Sequence, residues 1–177
     1  MRLFSFTMRL SSAIDQDSAE RLAEFSDGEL LAGLSNDLPD VTVTVEDHSP
    51  ALAVTNAVWK LRQFHDAVVT KIDEDLVSIS VIAERLSLSR ETVRKWAVGT
   101  RRSESSFPEP FAVVGDGIRV WAWGDVHAWA TTVSIAVEEA LPLTSSELCQ
   151  ANAWLVLQRT GGLASGSSVA GVVASTV

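Results

Sequence analysis

Positive charge in this chain is concentrated in one short stretch. Between Arg85 and Arg102 there are six basic residues and a single acid, Glu91, although the whole 177-residue chain has a formal charge of -9. A chain with this balance is repelled by polyanions unless its cations are segregated on one surface. Residues 1–75 contain six basic and fourteen acidic residues, so the cations are segregated. The charge pattern therefore predicts one polyanion-binding segment beside an acidic one.

Two short helices are predicted across the basic stretch. Apolar residues recur at helical spacing between Ile79 and Leu86, and Ser78 or Ser80 can cap this first helix. Residues 87–89 predict a tight turn. Ser89 is the expected N-cap of the second helix, which Gly99 should end. Apolar side chains of the second helix are expected to face the core, which leaves its charged side chains outward.

The outward face of the second helix has the chemistry of a DNA reader. Arg90 and Arg94 lie one turn apart, and the planar fork of arginine matches guanine in the major groove. Glu91 or Thr92 can add discrimination; the alternative is that these charges form an ordinary solvated helix face. Residues suited to phosphate contacts are Lys95, Arg101, Arg102 and Arg85. The predicted DNA-binding residues are Arg90, Glu91, Thr92, Arg94, Lys95, Arg101, Arg102 and Arg119.

A β-hairpin is predicted after the two helices. Phe111–Val114 and Ile118–Trp121 are rich in β-prone residues, and the Gly-Asp-Gly between them is a turn signal. Such a wing would carry Arg119 to a phosphate backbone or into the minor groove. The tryptophans that follow could be taken for a base-stacking platform, but Trp123 and Trp129 are assigned to the packed core.

Four short motifs occur in order along this region. They are IAERL at Ile82–Leu86, SRETV at Ser89–Val93, FPEP at Phe107–Pro110 and WAWGDVHAW at Trp121–Trp129. Together they resemble the winged helix-turn-helix proteins of the MerR-like and AlpA-like (excisionase-type) group. The chain is also similar to small bacterial DNA-binding proteins that place such a module after an α/β segment. The resemblance implies a winged DNA-binding domain over residues 76–130.

The acidic segment predicts a small α/β unit. Strand patterns occupy Leu3–Arg9, Val41–Glu46 and Ala67–Ile72, and helical spacing occupies Asp15–Leu34, interrupted near Gly28, and Ala51–Phe64. This βαβαβ order is similar to half of a ferredoxin-like fold. The acids of the unit are expected to form a solvated face; alternatively the unit serves dimerisation or binds a protein partner.

Two helices and a tail are predicted for the remainder. The first helix should run from Thr131 to Leu141, and the second from the capping box Thr144–Glu147 to about Gln158. Residues 161–177 lack charge and large side chains, so a disordered tail is expected. The expected parts of this α+β fold are therefore residues 1–75, 76–130, 131–160 and 161–177.

Several classes of protein are not expected. A lone cysteine, Cys149, and three scattered histidines give no disulfide and no metal-ligand spacing. No apolar run is long enough to span a bilayer and the N-terminus does not resemble a signal peptide, so no membrane partner and a cytoplasmic location are expected. No catalytic constellation can be assembled, so neither an enzyme nor a cofactor is predicted.

The sequence thus favours a transcription regulator that binds double-stranded DNA with a helix-turn-helix reader and a β-wing. A homodimer would match paired half-sites about one helical turn apart. The alternative function is an antitoxin-like or excisionase-like factor, which combines DNA binding with protein interaction.

Overall fold

The computed structural model describes residues 1–64, 66–99, 105–137 and 140–161. The chain divides into two compact units. Unit 1 comprises Met1–Asp73 with the residues from Ser146 onward, and unit 2 comprises Glu74–Ser145. The fold is mixed α+β. None of the helices in the described ranges is both long and apolar enough to cross a membrane.

Unit 1 is built on an antiparallel sheet. Its elements up to Asp73 are β1 (Arg2–Leu10), α1 (Gln16–Phe25), β2 (Leu30–Ser35), β3 (Leu38–Asp47), α2 (Pro50–Phe64) and β4 (Val69–Ile72). Four of its strands follow the order β2-β3-β1-β4. Alternate residues of β1 and β3 are buried, including the predicted inward set Val41, Val43 and Val45. The period of two that marks these strands in the sequence is therefore confirmed.

The predicted helix from Asp15 to Leu34 is wrong in its second half. The helix ends at Phe25, and Asp27 and Gly28 then take positive φ angles of 52° and 79°. The following leucines form β2, in which Leu30 is buried and pairs with Val43. Leucines at this spacing fit either a helix face or an edge strand, so helical periodicity alone misassigned them.

The tight turn between β2 and β3 is the feature that the helix prediction overlooked. Asn36 and Asp37 both have positive φ angles, 54° and 62°. Two consecutive left-handed residues of this type are typical of a two-residue hairpin turn. The element order is therefore β1-α1-β2-β3-α2-β4, with one strand more than the βαβαβ order predicted from the sequence.

Unit 2 combines a small sheet with three helices in its described residues. Its elements are β5 (Leu76–Val77), α3 (Ile79–Arg85), α4 (Arg90–Ala97), β6 (Ala112–Val114), β7 (Ile118–Ala122), α5 (Trp123–Thr132) and β8 (Leu141–Pro142). The antiparallel sheet has the order β5-β7-β6. Buried side chains of α3, α4, β7 and α5 form one core beneath the sheet, with Trp121, Trp123 and Trp129 among them.

The predicted helix from Thr131 to Leu141 is wrong, and only the end of α5 reaches into this range. The helix ends at Thr132, and Ser134 takes a left-handed φ of 59°. The N–H of Ile135 then donates to the carbonyl of Ala130 at 2.9 Å, which closes the helix end. The described residues from Val133 to Val137 are not helical, and residues 138–139 lie outside the described ranges.

Backbone and carboxylate contacts hold the end of unit 2 against the start of α5. A Cβ placed on Gly124 would lie 1.9 Å from the carbonyl oxygen of Leu143, so only glycine fits. The N–H of Ser145 donates to Asp125 Oδ1 at 3.0 Å, and its hydroxyl lies 3.4 Å from Glu74 Oε1. The pKa of Glu74 is raised above its ordinary value of 4.5, mainly by burial and to a smaller extent by the nearby charge of Asp125.

The last helix, α6 (Ser145–Arg159), agrees with the helix predicted to reach Gln158. Its Asn152 side chain forms two hydrogen bonds to the backbone of Ile72. The N–H of Ile72 donates to Oδ1 at 2.7 Å, and Nδ2 donates to the carbonyl at 3.1 Å. The amide therefore satisfies backbone groups of β4 as a neighbouring strand would. Cys149, also on α6, is exposed.

Candidate nucleic-acid interface

The ends of α4 are fixed by local hydrogen bonds. Ser89 is the N-cap, and its hydroxyl oxygen accepts from the N–H of Thr92 at 3.1 Å. Gly99 follows the C-cap with a φ of 70°, and its N–H donates to the carbonyl of Trp96 at 2.9 Å. Both ends predicted for this helix, Ser89 and Gly99, are therefore confirmed.

An aromatic cluster anchors the inner face of α4. Trp96 is nearly buried and meets Trp129 of α5 edge to face, with ring centroids 4.9 Å apart. Phe107 contacts both Trp129 and Trp121 in the same manner, at 4.8 and 6.0 Å. Pairs with this geometry stabilise a core beyond the area that they bury. The aromatic cluster thus fixes the orientation of α4 in unit 2.

The indole N–H groups of this cluster bind the segment that leads to the hairpin. Trp129 Nε1 donates to the carbonyl of Ser105, and Trp121 Nε1 donates to the carbonyl of Pro108, both at 3.1 Å. Trp123 is also buried, at 2% exposure. The assignment of Trp123 and Trp129 to the core is confirmed. The role of Phe107 was not predicted, although its place in FPEP before a tryptophan-rich segment was visible in the sequence.

The outer face of α4 is charged and exposed. Arg90, Glu91, Arg94 and Lys95 are all exposed, whereas Thr92 is half-buried. The Thr92 hydroxyl lies 2.9 Å from Ser89 Oγ, which ties it to the helix cap. Arg90 has no ion-pair partner among the described residues. The four charged side chains thus present a net positive surface on one short helix.

Glu91 and Arg94 form a bidentate ion pair along this face. Arg94 Nε donates to Glu91 Oε2 at 2.8 Å, and Nη2 donates to Oε1 at 2.9 Å. Lys95 Nζ lies 3.7 Å from Oε1 of the same carboxylate. The hydrogen bond from Arg94 lowers the pKa of Glu91, and Glu91 in turn raises the pKa of Arg94. Glu91 therefore stays ionised, and its two hydrogen bonds hold the guanidinium of Arg94 in one orientation.

The hairpin formed by β6 and β7, which we call the wing, lies beyond α4 in the chain. Gly115 and Gly117 have positive φ angles of 50° and 88°, as the predicted turn requires. Arg119 is exposed and pairs across the hairpin with Val113. Apart from Arg119 and the exposed Asp116 in its turn, the wing is apolar, and Val113 and Ile118 are 63% and 57% exposed. This exposed apolar surface was not predicted, because strand periodicity does not show whether a face is covered.

A cavity of about 670 Å³ lies between the C-terminal end of α4 and the wing. Trp96 and Phe107 contribute aromatic surface to the cavity, and Pro108 and Pro110 also line it. Among the described residues that line it, the basic one is Arg119. Glu109 and Ser106 also line the cavity, so among the described residues of unit 2 it combines aromatic and apolar surface with one cation and one acid.

Arg85 does not belong to the outward face. Its guanidinium pairs with Asp75 at 2.5 Å and lies 4.9 Å from the ring centroid of Trp123. Such a cation–π contact together with an ion pair gives this arginine a role in the fold. The predicted phosphate contact at Arg85 is therefore not favoured. Arg101 and Arg102, also predicted to contact DNA, lie outside the described residues.

The geometry brings Arg90, Glu91, Arg94 and Lys95 together on α4 and places Arg119 on the wing. Comparisons of the chain with protein-family models, with curated proteins and with solved structures find no match in any of the three.

Proposed function

We propose that this protein is a cytoplasmic transcription regulator that binds double-stranded DNA in a sequence-specific manner. In this proposal α4 enters the major groove and the wing contacts the sugar–phosphate backbone. The observation that carries the proposal is the outer face of α4, where Arg90, Arg94 and Lys95 are exposed on a helix whose inner face is anchored by aromatic packing. A reader helix needs both properties, because base contacts must be held in a fixed orientation.

The topology of unit 2 supports a winged helix-turn-helix. Two short helices joined by the turn at residues 87–89 are followed by a hairpin, and the sheet order β5-β7-β6 places the hairpin beside the strand that precedes the helices. In such an arrangement the second helix reads the groove, and that helix is α4. For unit 1 we propose a ferredoxin-like fold, since its antiparallel strand order β2-β3-β1-β4 and its two intervening helices agree with it.

A second candidate is an antitoxin-like or excisionase-like factor that binds DNA and a protein partner together. The exposed apolar side chains of the wing favour it, because a wing that only followed phosphates would be expected to carry more cations. A homodimer through unit 1 is compatible with either candidate.

DNA binding can be tested by anisotropy with a randomised duplex pool and with promoter fragments from the protein's own locus. Arg94→Ala should weaken binding to a selected site by about 1–3 kcal/mol, and raised salt should weaken all complexes. Arg62→Ala removes an exposed arginine from α2 and is the matched control, which should bind as the parent does. The proposal fails if no duplex is bound at moderate salt.

A further inference from the structure

The pairing of Glu91 with Arg94 leaves one edge of the arginine free. Glu91 takes the Nε–H and one N–H of Nη2, at 2.8 and 2.9 Å. A guanidinium has five N–H groups in a rigid plane, so three remain. Two of them are on Nη1 and one is on Nη2. The remaining N–H of Nη2 and the neighbouring N–H of Nη1 form a second edge, which is able to make two parallel hydrogen bonds. That edge has the spacing of the O6 and N7 acceptors of guanine.

From this geometry we propose that Glu91 is a positioning residue that presents the free edge of Arg94 to a guanine in the major groove. The inference rests on the proposed DNA-binding function and deepens it, since it names the base that Arg94 reads. Arg94 touches the base, and Glu91 acts through Arg94.

The energetic reason is preorganisation. A free arginine side chain loses rotamer freedom when it binds, and this loss opposes association. Arg94 is already held by two hydrogen bonds in the free protein, so less freedom remains to be lost. Arg90 has no acidic partner among the described residues, and it should contribute less discrimination than Arg94.

Lys95 limits the electrostatic cost of placing an acid at this surface. Its Nζ lies 3.7 Å from Glu91 Oε1, so two cations share one carboxylate. The set of Glu91, Arg94 and Lys95 keeps one net positive charge. Phosphates are therefore still attracted to the face that reads the base.

The first measurement needs no DNA. In the free protein the Nε–H of Arg94 should give a proton resonance protected from solvent exchange, and Glu91→Ala should abolish that protection. Glu84→Ala, which removes an exposed acid from α3, is the control and should leave it unchanged. An unprotected Arg94 signal in the parent protein would overturn the inference without bearing on DNA binding.

The second measurement is selection of bound sequences from a randomised duplex pool. The parent protein should require guanine at one position per half-site, and Arg94→Ala should relax that position. Glu91→Ala should relax the same position by about tenfold in base preference, with little loss in binding to non-selected DNA. Once Arg94 is absent, removal of Glu91 should have no further effect on that position.

The outcomes separate the two proposals. If Glu91→Ala keeps full guanine preference, the positioning role is refuted, while DNA binding stands. If Glu91→Ala changes a different position, Glu91 contacts a base directly and the inference is again wrong. If the parent protein binds no duplex, the proposed function itself falls.

Discussion

Two serine N-caps of unit 2 allow a matched test of what stabilises α4, the proposed reader helix. Ser89 accepts a hydrogen bond from the N–H of Thr92 at 3.1 Å, whereas Ser78, the N-cap of α3, forms no side-chain cap bond. Removing a serine cap costs about 0.5–2 kcal/mol. Ser89 is exposed, so water can replace part of the lost bond. We expect Ser89→Ala to lower the free energy of unfolding by about 1 kcal/mol and Ser78→Ala by less than about 0.5 kcal/mol.

Urea denaturation followed by tryptophan fluorescence can measure this difference, because four of the six tryptophans lie in unit 2. Ser89→Asn should restore most of the lost stability, since asparagine caps helices as well as serine does. If fraying of α4 limits binding, Ser89→Ala should also weaken DNA binding more than Ser78→Ala does, and Ser89→Asn should bind nearly as well as the parent protein. Equal losses for Ser89→Ala and Ser78→Ala would refute the assignment of the cap bond as the stabilising contact.

Two further substitutions test the contacts around α5. Gly124→Ala should destabilise unit 2 by about 2–3 kcal/mol in the same urea assay, because its Cβ would collide with the carbonyl of Leu143; unchanged stability would contradict the close approach. Glu74→Gln should raise the free energy of unfolding at neutral pH. Burial raises the pKa of Glu74 in the folded protein, so its ionisation opposes folding, and this penalty disappears as the pH falls through the raised pKa towards 4.5. The gain from Glu74→Gln should therefore shrink on acidification, and a gain independent of pH would exclude Glu74 as its source.

The local features of the candidate site were predictable because their signals are local. A serine cap, a glycine end and charges spaced along one helix face depend on neighbours within a single turn or two. The i,i+3 spacing of Glu91 and Arg94 was also visible, and such pairs meet on a helix surface. What the sequence could not show is that both oxygens of Glu91 are engaged by one edge of Arg94, since rotamers decide this.

Features that depend on distant residues were predicted less well. The leucines of β2 were placed in a helix because their strand partner, β3, begins only after a hairpin turn at Asn36 and Asp37. The partner of Asn152 is eighty residues away, at Ile72. Neither contact leaves a periodic signal in its own segment. Tertiary pairing therefore overrides the local pattern in both cases.

The charge of the chain bears on how the proposed regulator would discriminate between sites. Residues 1–75 carry a balance of -8 and residues 131–177 a balance of -2, so most of the chain repels DNA of any base sequence. Repulsion of this kind lowers specific and non-specific affinity together and leaves their ratio unchanged. Discrimination must then come from base contacts, and few side chains on α4 can make them. An acidic chain with a short reader helix therefore depends on each base contact more than a basic one would, and an arginine oriented before binding meets that need.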